Sequence, residues 1–159
     1  MKHLPKILSA LLLTTTTFLV QSCKKTEQPA IPAPDVAAIL QSKNWQLKAA
    51  TVSPAQGGVT DIYNTWLGDC NKDDLFIFKA NNAFVLDEGA TKCLPTDDQS
   101  SDGTWNYNSS TKILFWQLTP PADAYNFLIT QIDGNSFTGV EHETISGVDY
   151  TYTWVFAKQ

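Results

Sequence analysis

The chain has 159 residues, with sixteen Asp and Glu against eleven basic residues and a formal net charge of −5. That length has room for one domain. Every basic residue is a lysine, which excludes functions built on clustered Lys and Arg: nucleic-acid binding and recognition of phosphates by Arg forks.

The first segment is basic, then apolar, then small. Lys2 and Lys6 precede an apolar stretch from Ile7 to Val20, broken by Thr14 to Thr17, and Val20-Gln21-Ser22-Cys23 follows. This order predicts a cleavable signal peptide over 1–22, and the stretch is short for a transmembrane span. An uncleaved anchor or a buried helix is the alternative. The segment resembles the lipobox of bacterial lipoproteins through Ser22-Cys23 and the polar run after it. The resemblance implies that Cys23 is acylated and becomes the new N-terminus, with the outer membrane of the cell envelope as the expected location. Each buried methylene contributes roughly 0.8 kcal/mol, so two or three acyl chains would anchor the protein stably.

Residues 23–34 are Pro-rich and without apolar periodicity, and predict an extended tether. The domain proper is expected over 35–159. Asp35 is placed as a helix N-cap, with Val36, Ile39 and Leu40 on one face of a short helix ending near Lys43.

From Trp45 the period becomes two. Trp45, Leu47 and Ala49 alternate with Gln46 and Lys48. Near the C-terminus Val148, Tyr150, Tyr152, Trp154 and Phe156 alternate with Asp149, Thr151 and Thr153. Further strands are predicted at about 74–79, 83–88, 102–107, 111–118, 125–132 and 136–143. Turn residues separate them: Asn81-Asn82, Asn108-Ser109-Ser110, Asp133-Gly134-Asn135 and Ser146-Gly147. Only the connection over 53–73 and the Pro120-Pro121 loop are longer. The expected fold is all-β: an up-and-down antiparallel barrel of about eight strands with a short N-terminal helix, closed so that no edge is exposed. Leu75-Phe76-Ile77-Phe78 and Ile113-Leu114-Phe115-Trp116 are apolar on both faces, so the pattern alone does not say which residues point inward.

With Cys23 acylated, Cys70 and Cys93 form an even pair in an oxidising compartment, which suggests a disulfide. A two-residue turn at Asn81-Asn82 would bring them opposite each other. A reactive or metal-binding thiol pair is the alternative, and no histidine neighbours either cysteine in sequence.

Little else carries chemistry. Asp69-Cys70-Asn71-Lys72-Asp73-Asp74 spaces oxygen ligands as a calcium loop begins, but Asp74 stands where the turn glycine belongs and Ala80 where the bidentate glutamate belongs. A surface acidic loop is the favoured reading; a weak site shared with Asp97, Asp98 and Asp102 stays open. His142 is the sole histidine after processing, and Glu141 and Glu143 point to the other face of its strand. That disfavours zinc. The chain contains no G-x-S-x-G elbow, P-loop or G-x-G-x-x-G motif. No enzyme, metal or cofactor is expected.

The positive feature is aromatic: eight Phe, five Trp and five Tyr. Trp45, Trp105, Tyr107, Tyr150, Tyr152 and Trp154 share an inward-reading face and are the candidate ligand-lining residues. Two readings stand. Small barrels fill their interiors with side chains, and rings with polar tips also line pockets for apolar ligands.

The mature chain, over about 36–159, resembles the lipocalin-like domains of lipoproteins of gram-negative bacteria. The resemblance rests on Trp45-Gln46-Leu47-Lys48 after the short helix, and on Cys70-Asn71-Lys72-Asp73-Asp74-Leu75 with Phe76 and Phe78. It rests also on Asp87-Glu88-Gly89 before Cys93, on Gly103-Thr104-Trp105, and on the closing Tyr152-Thr153-Trp154-Val155-Phe156. It implies a barrel of about eight strands, a small-ligand cavity and no catalytic residues. Two functions follow as expectations. One is a membrane-tethered, non-enzymatic domain that binds a small apolar or amphipathic molecule. The other is a packed barrel that serves as an interaction module for an unidentified envelope protein. An interior below about 300 Å³ would favour the second.

Overall fold

The computed structural model describes residues 34–119 and 124–159. The expected signal peptide, Cys23, the expected tether up to residue 33 and the Pro120-Pro121 loop lie outside the described residues.

Helix α1 (Val36–Gln41) starts where Asp35 accepts a hydrogen bond from Ala38 N at 3.0 Å. This is the expected N-cap. Nine strands follow: β1 (Trp45–Gln56), β2 (Val59–Asp61), β3 (Leu75–Phe78), β4 (Ala83–Asp87), β5 (Ser100–Asn108), β6 (Ile113–Leu118), β7 (Ala124–Ile132), β8 (Ser136–Ile145) and β9 (Val148–Lys158). From β3 to β9 each strand pairs antiparallel with the next. β1 closes the ring, pairing with β3 at Trp45↔Phe76 and with β9 from Trp45↔Lys158 to Ser53↔Thr151. The wall is therefore an eight-stranded, up-and-down antiparallel barrel. β2 is an addition that pairs only with the far half of β1.

This hairpin of β1 and β2 was not expected. Gly57 and Gly58, both at positive φ, turn the chain after Gln56. A short helix α2 (Ile62–Thr65), capped by Asp61, then buries Ile62 against the barrel. The sequence hid it because the segment before Gly57 carries Pro54 and no two-residue alternation.

Three turns behave as their residues predict. Ser146 and Gly147 both take positive φ between Ile145 and Val148. Asn108 Oδ1 accepts from Ser110 N and Thr111 N, and Asp133 Oδ1 from Asn135 N and Ser136 N. The fourth differs. Phe78 pairs with Phe84, so the β3–β4 ladder is centred on Asn81 and the loop is Ala80–Asn82, three residues rather than two. Asn81 and Asn82 both sit at positive φ, which asparagine tolerates better than most residues.

Strand alternation settles the two doubly apolar segments. Phe76, Phe78, Leu114 and Trp116 belong to the interior, while Leu75, Ile77, Ile113 and Phe115 lie half-buried on the outer wall. Helix α1 packs over one end. There Leu40 and Trp45 are wholly buried, and Trp45 Nε1 donates to Leu40 O at 2.9 Å. Phe137 stacks on Phe156 at 4.4 Å and meets Trp45 edge-on at 5.0 Å. Phe78 meets Trp105 at 5.2 Å, and Trp105 Nε1 donates to Lys79 O. Burying each such side chain contributes roughly 1.5–3 kcal/mol. These rings form the barrel's packed floor.

Candidate functional site

At the other end the barrel opens. Here run the β1–β3 connection, the β4–β5 loop and the β8–β9 turn. Cys70 and Cys93 are joined by a disulfide, with Cα atoms 5.1 Å apart. The bond lies beyond the ends of β3 and β4, so it staples two loops at the mouth rather than rungs of the ladder. Asn71 Nδ2 donates toward Cys93 Sγ.

Below this mouth the interior holds a cavity of about 310 Å³, at the lower edge of the ligand-pocket range. Its walls are mainly inward residues: Leu47, Phe76, Phe84, Trp116, Phe127 and Phe156. Tyr125 and Leu118 stand toward the mouth, and Leu67 comes from the turn after α2. Trp116 meets Phe127 edge-on at 4.5 Å, and Phe76 meets Phe156 at 5.1 Å. Gly139 keeps this space. A Cβ there would fall 2.9 Å from Phe127 Cβ, so glycine lets the Phe127 ring cross the barrel.

Besides Tyr125, three side chains bring polar groups to the apolar wall: Asn71, Asp74 and Trp154. Asp74 is 6 % exposed, and its Oδ1 has no hydrogen-bond partner. Trp154 Nε1 is buried and likewise without a partner. Alternation with Phe76 and Phe78 turns Asp74 inward, and the β3–β4 register sets Glu88 opposite it. Burial first, then the charges of Glu88, Asp73 and Asp87, push Asp74 up to about 7, against a hydrogen bond from Asn71 that lowers it. The reading of 69–74 as a solvated acidic loop is therefore corrected at Asp74. The loop's other acids face elsewhere. Asp69 pairs with Lys72 at 2.8 Å, and Asp73 Oδ2 accepts from Ala90 N and Thr91 N. Gly89, at positive φ, packs against Asp73 O so closely that a Cβ would lie 2.3 Å from it. No cluster of three metal-ligating side chains occurs among the described residues.

The six aromatic candidates are distributed over four places. Trp154 lines the cavity. Trp45 and Trp105 are in the floor with their indole N–H groups satisfied. Tyr150 and Tyr152 stand on the long β8–β9 hairpin, opposite Glu143 and Glu141. Tyr152 Oη donates to Gln56 Oε1 at 2.8 Å, and burial, then Glu143, raise Glu141 above the ordinary carboxylate range. Tyr107 lines a second cleft of about 580 Å³ beside α1, with Lys112 and Ile129–Ile132. That cleft is larger, but no buried unpaired polar atom lines it. His142 faces outward, its Nδ1 3.1 Å from Thr151 Oγ1.

Phe76, Phe84, Trp116, Phe127 and Asp74 were absent from the sequence-derived site. The signal existed: Asp74 shares the two-residue period of Phe76 and Phe78. The doubly apolar pattern beside it concealed which phase faced inward.

No protein-family model matches the chain, and no characterised protein matches it in sequence. Among solved structures it is similar to bovine odorant binding protein in complex with a selenium-containing odorant. The identity is 11 %, the TM-score 0.40, and the match covers 83 % of this chain and 78 % of that one.

Proposed function

We propose that this is a lipid-anchored, non-enzymatic binding protein of the cell envelope, whose barrel takes one small apolar or amphipathic molecule. The observation that carries the binding part is the aromatic-walled cavity of about 310 Å³ beneath an open, disulfide-stapled mouth. The anchoring part rests on Ser22-Cys23 and the basic-apolar leader before it.

Native mass spectrometry of the protein purified without added ligand tests the first part. A co-purifying adduct of small-metabolite mass, lost on denaturation, is expected. A bare mass that no small apolar compound shifts would favour the second reading, an interaction module. The half-buried apolar outer wall at Ile113, Phe115 and Leu128 favours that second reading. Radiolabelled palmitate tests the anchor: label is expected in the wild type and lost in Cys23→Ser. Equal label in both would remove the anchor from the proposal.

A further inference from the structure

Resting on the reading of the cavity as a ligand site, we infer that it selects a small molecule bearing a protonated amine on an apolar, preferably aromatic, body. The ammonium sits against Asp74 and the body lies among Phe76, Phe84, Trp116 and Phe127.

The first reason is the surroundings of Asp74. A carboxylate this buried is tolerated when paired and hydrogen-bonded. Asp74 has Asn71 beside it and nothing on Oδ1. The residue that carries this unmet need lines the cavity.

The second reason is the charge around it. From the end of β4 comes Asp87, and from the residue after it Glu88, across the hairpin; from its own segment comes Asp73; from the preceding turn comes the neutral Asn71. The nearest lysine in sequence, Lys72, gives its ammonium to Asp69 at 2.8 Å and lies 5.5 Å from the Tyr63 ring centroid. No basic side chain lines the cavity. The missing positive charge must therefore come from the ligand. An anionic ligand would meet a group of like charges, and a neutral one would leave Asp74 as it is. A hydrated metal ion fits poorly, because calcium wants six or more oxygens and the cavity wall is chiefly carbon.

The third reason is the rest of the wall. Aromatic faces attract cations as well as apolar bodies, and they make up much of the cavity wall. Trp154 Nε1 adds an unpaired donor suited to a hydroxyl or carbonyl oxygen on the same ligand. Proton linkage gives a signature. Near neutral pH the empty site holds a proton on a fraction of Asp74 side chains, and an arriving ammonium expels it.

The test uses three matched probes on the full chain by titration calorimetry at about pH 7.5: 2-phenylethylamine, 2-phenylethanol and 3-phenylpropanoate. The amine is expected to bind about tenfold tighter than the alcohol or better, as a charge-assisted hydrogen bond warrants, and the carboxylate not to bind. Asp74→Asn should bring the amine down to the alcohol's affinity while leaving the alcohol within about twofold of its wild-type value. At about pH 6.5 the amine's binding enthalpy should vary with buffer ionisation, reporting a released proton. If the alcohol binds as well as the amine, or Asp74→Asn keeps the amine's advantage, the inference falls and the ligand site stands. If none of the three binds, both fall.

Discussion

At the floor of the barrel the buried indoles of Trp45 and Trp105 reach backbone carbonyls, those of Leu40 and Lys79. At the mouth, Trp154 Nε1 and Asp74 Oδ1 are equally hidden from water and reach nothing. Both ends use the same materials, inward rings on a two-residue period. The floor is closed by α1, which supplies the carbonyl of Leu40; the mouth is framed by loops that bring Asp73, Asp87 and Glu88 close to Asp74. The contrast separates stability from function. Satisfied polar groups belong to the part that holds the fold together, and unsatisfied ones to the part proposed to take a ligand.

Removing a packed floor residue and removing the unpaired carboxylate at the mouth should therefore act in opposite directions. Trp45→Ala is expected to have the largest effect, a loss of about 3–5 kcal/mol by urea denaturation, since it empties the floor and frees α1. Replacing Cys70 and Cys93 together by serine should lower stability by about 3 kcal/mol, the loop-closure contribution for a separation of 23 residues. That loss should come with faster amide exchange at the mouth and little change at the floor.

Asp74→Asn should instead stabilise the protein, and only at higher pH. The folded state holds Asp74 at about 7, above its ordinary value, so between about pH 4 and pH 7 the folded chain binds more protons than the unfolded one. Stability from this group therefore falls as pH rises through that window. The variant is expected to gain about 1–3 kcal/mol at about pH 8 and nothing near pH 4, a figure reduced from the full linkage value for residual solvent screening. A destabilised variant at pH 8 would mean that Asp74 is a structural hydrogen-bonding residue. Gly139→Ala closes the series. The added methyl presses on Phe127 and should lower stability by about 1–2 kcal/mol in thermal melts while weakening any ligand in the cavity.

Most of the wall was legible in the sequence because hairpin strands advertise themselves locally. Each strand from Leu75 onward has an inward row at alternate positions and a turn residue at its end, and both signals act over a few residues. The β1–β2 hairpin escaped because its pairing is held by the barrel and α2, without alternation of its own. The three-residue loop at Asn81 escaped because one residue of register moves no side chain out of the local pattern of β3 or β4 taken singly. Asp74 escaped for a third reason. A carboxylate next to Asp73 reads as solvated until its neighbours are placed, and burial is not a local property.

The sequence by itself determined an acidic chain without arginine, an alternating all-β domain behind a helix capped by Asp35, and an even pair of cysteines. Those are matters of composition and of two-residue and 3.6-residue periods, which the chain carries whatever its final fold. Tertiary packing sets which apolar phase of β3 and β6 faces inward, and leaves an aromatic-walled cavity below the mouth. It also decided that Asp74 is sealed into that cavity among acids. Those outcomes depend on ring closure, which joins β1 to β3 and β9 and sets side chains from distant strands against one another.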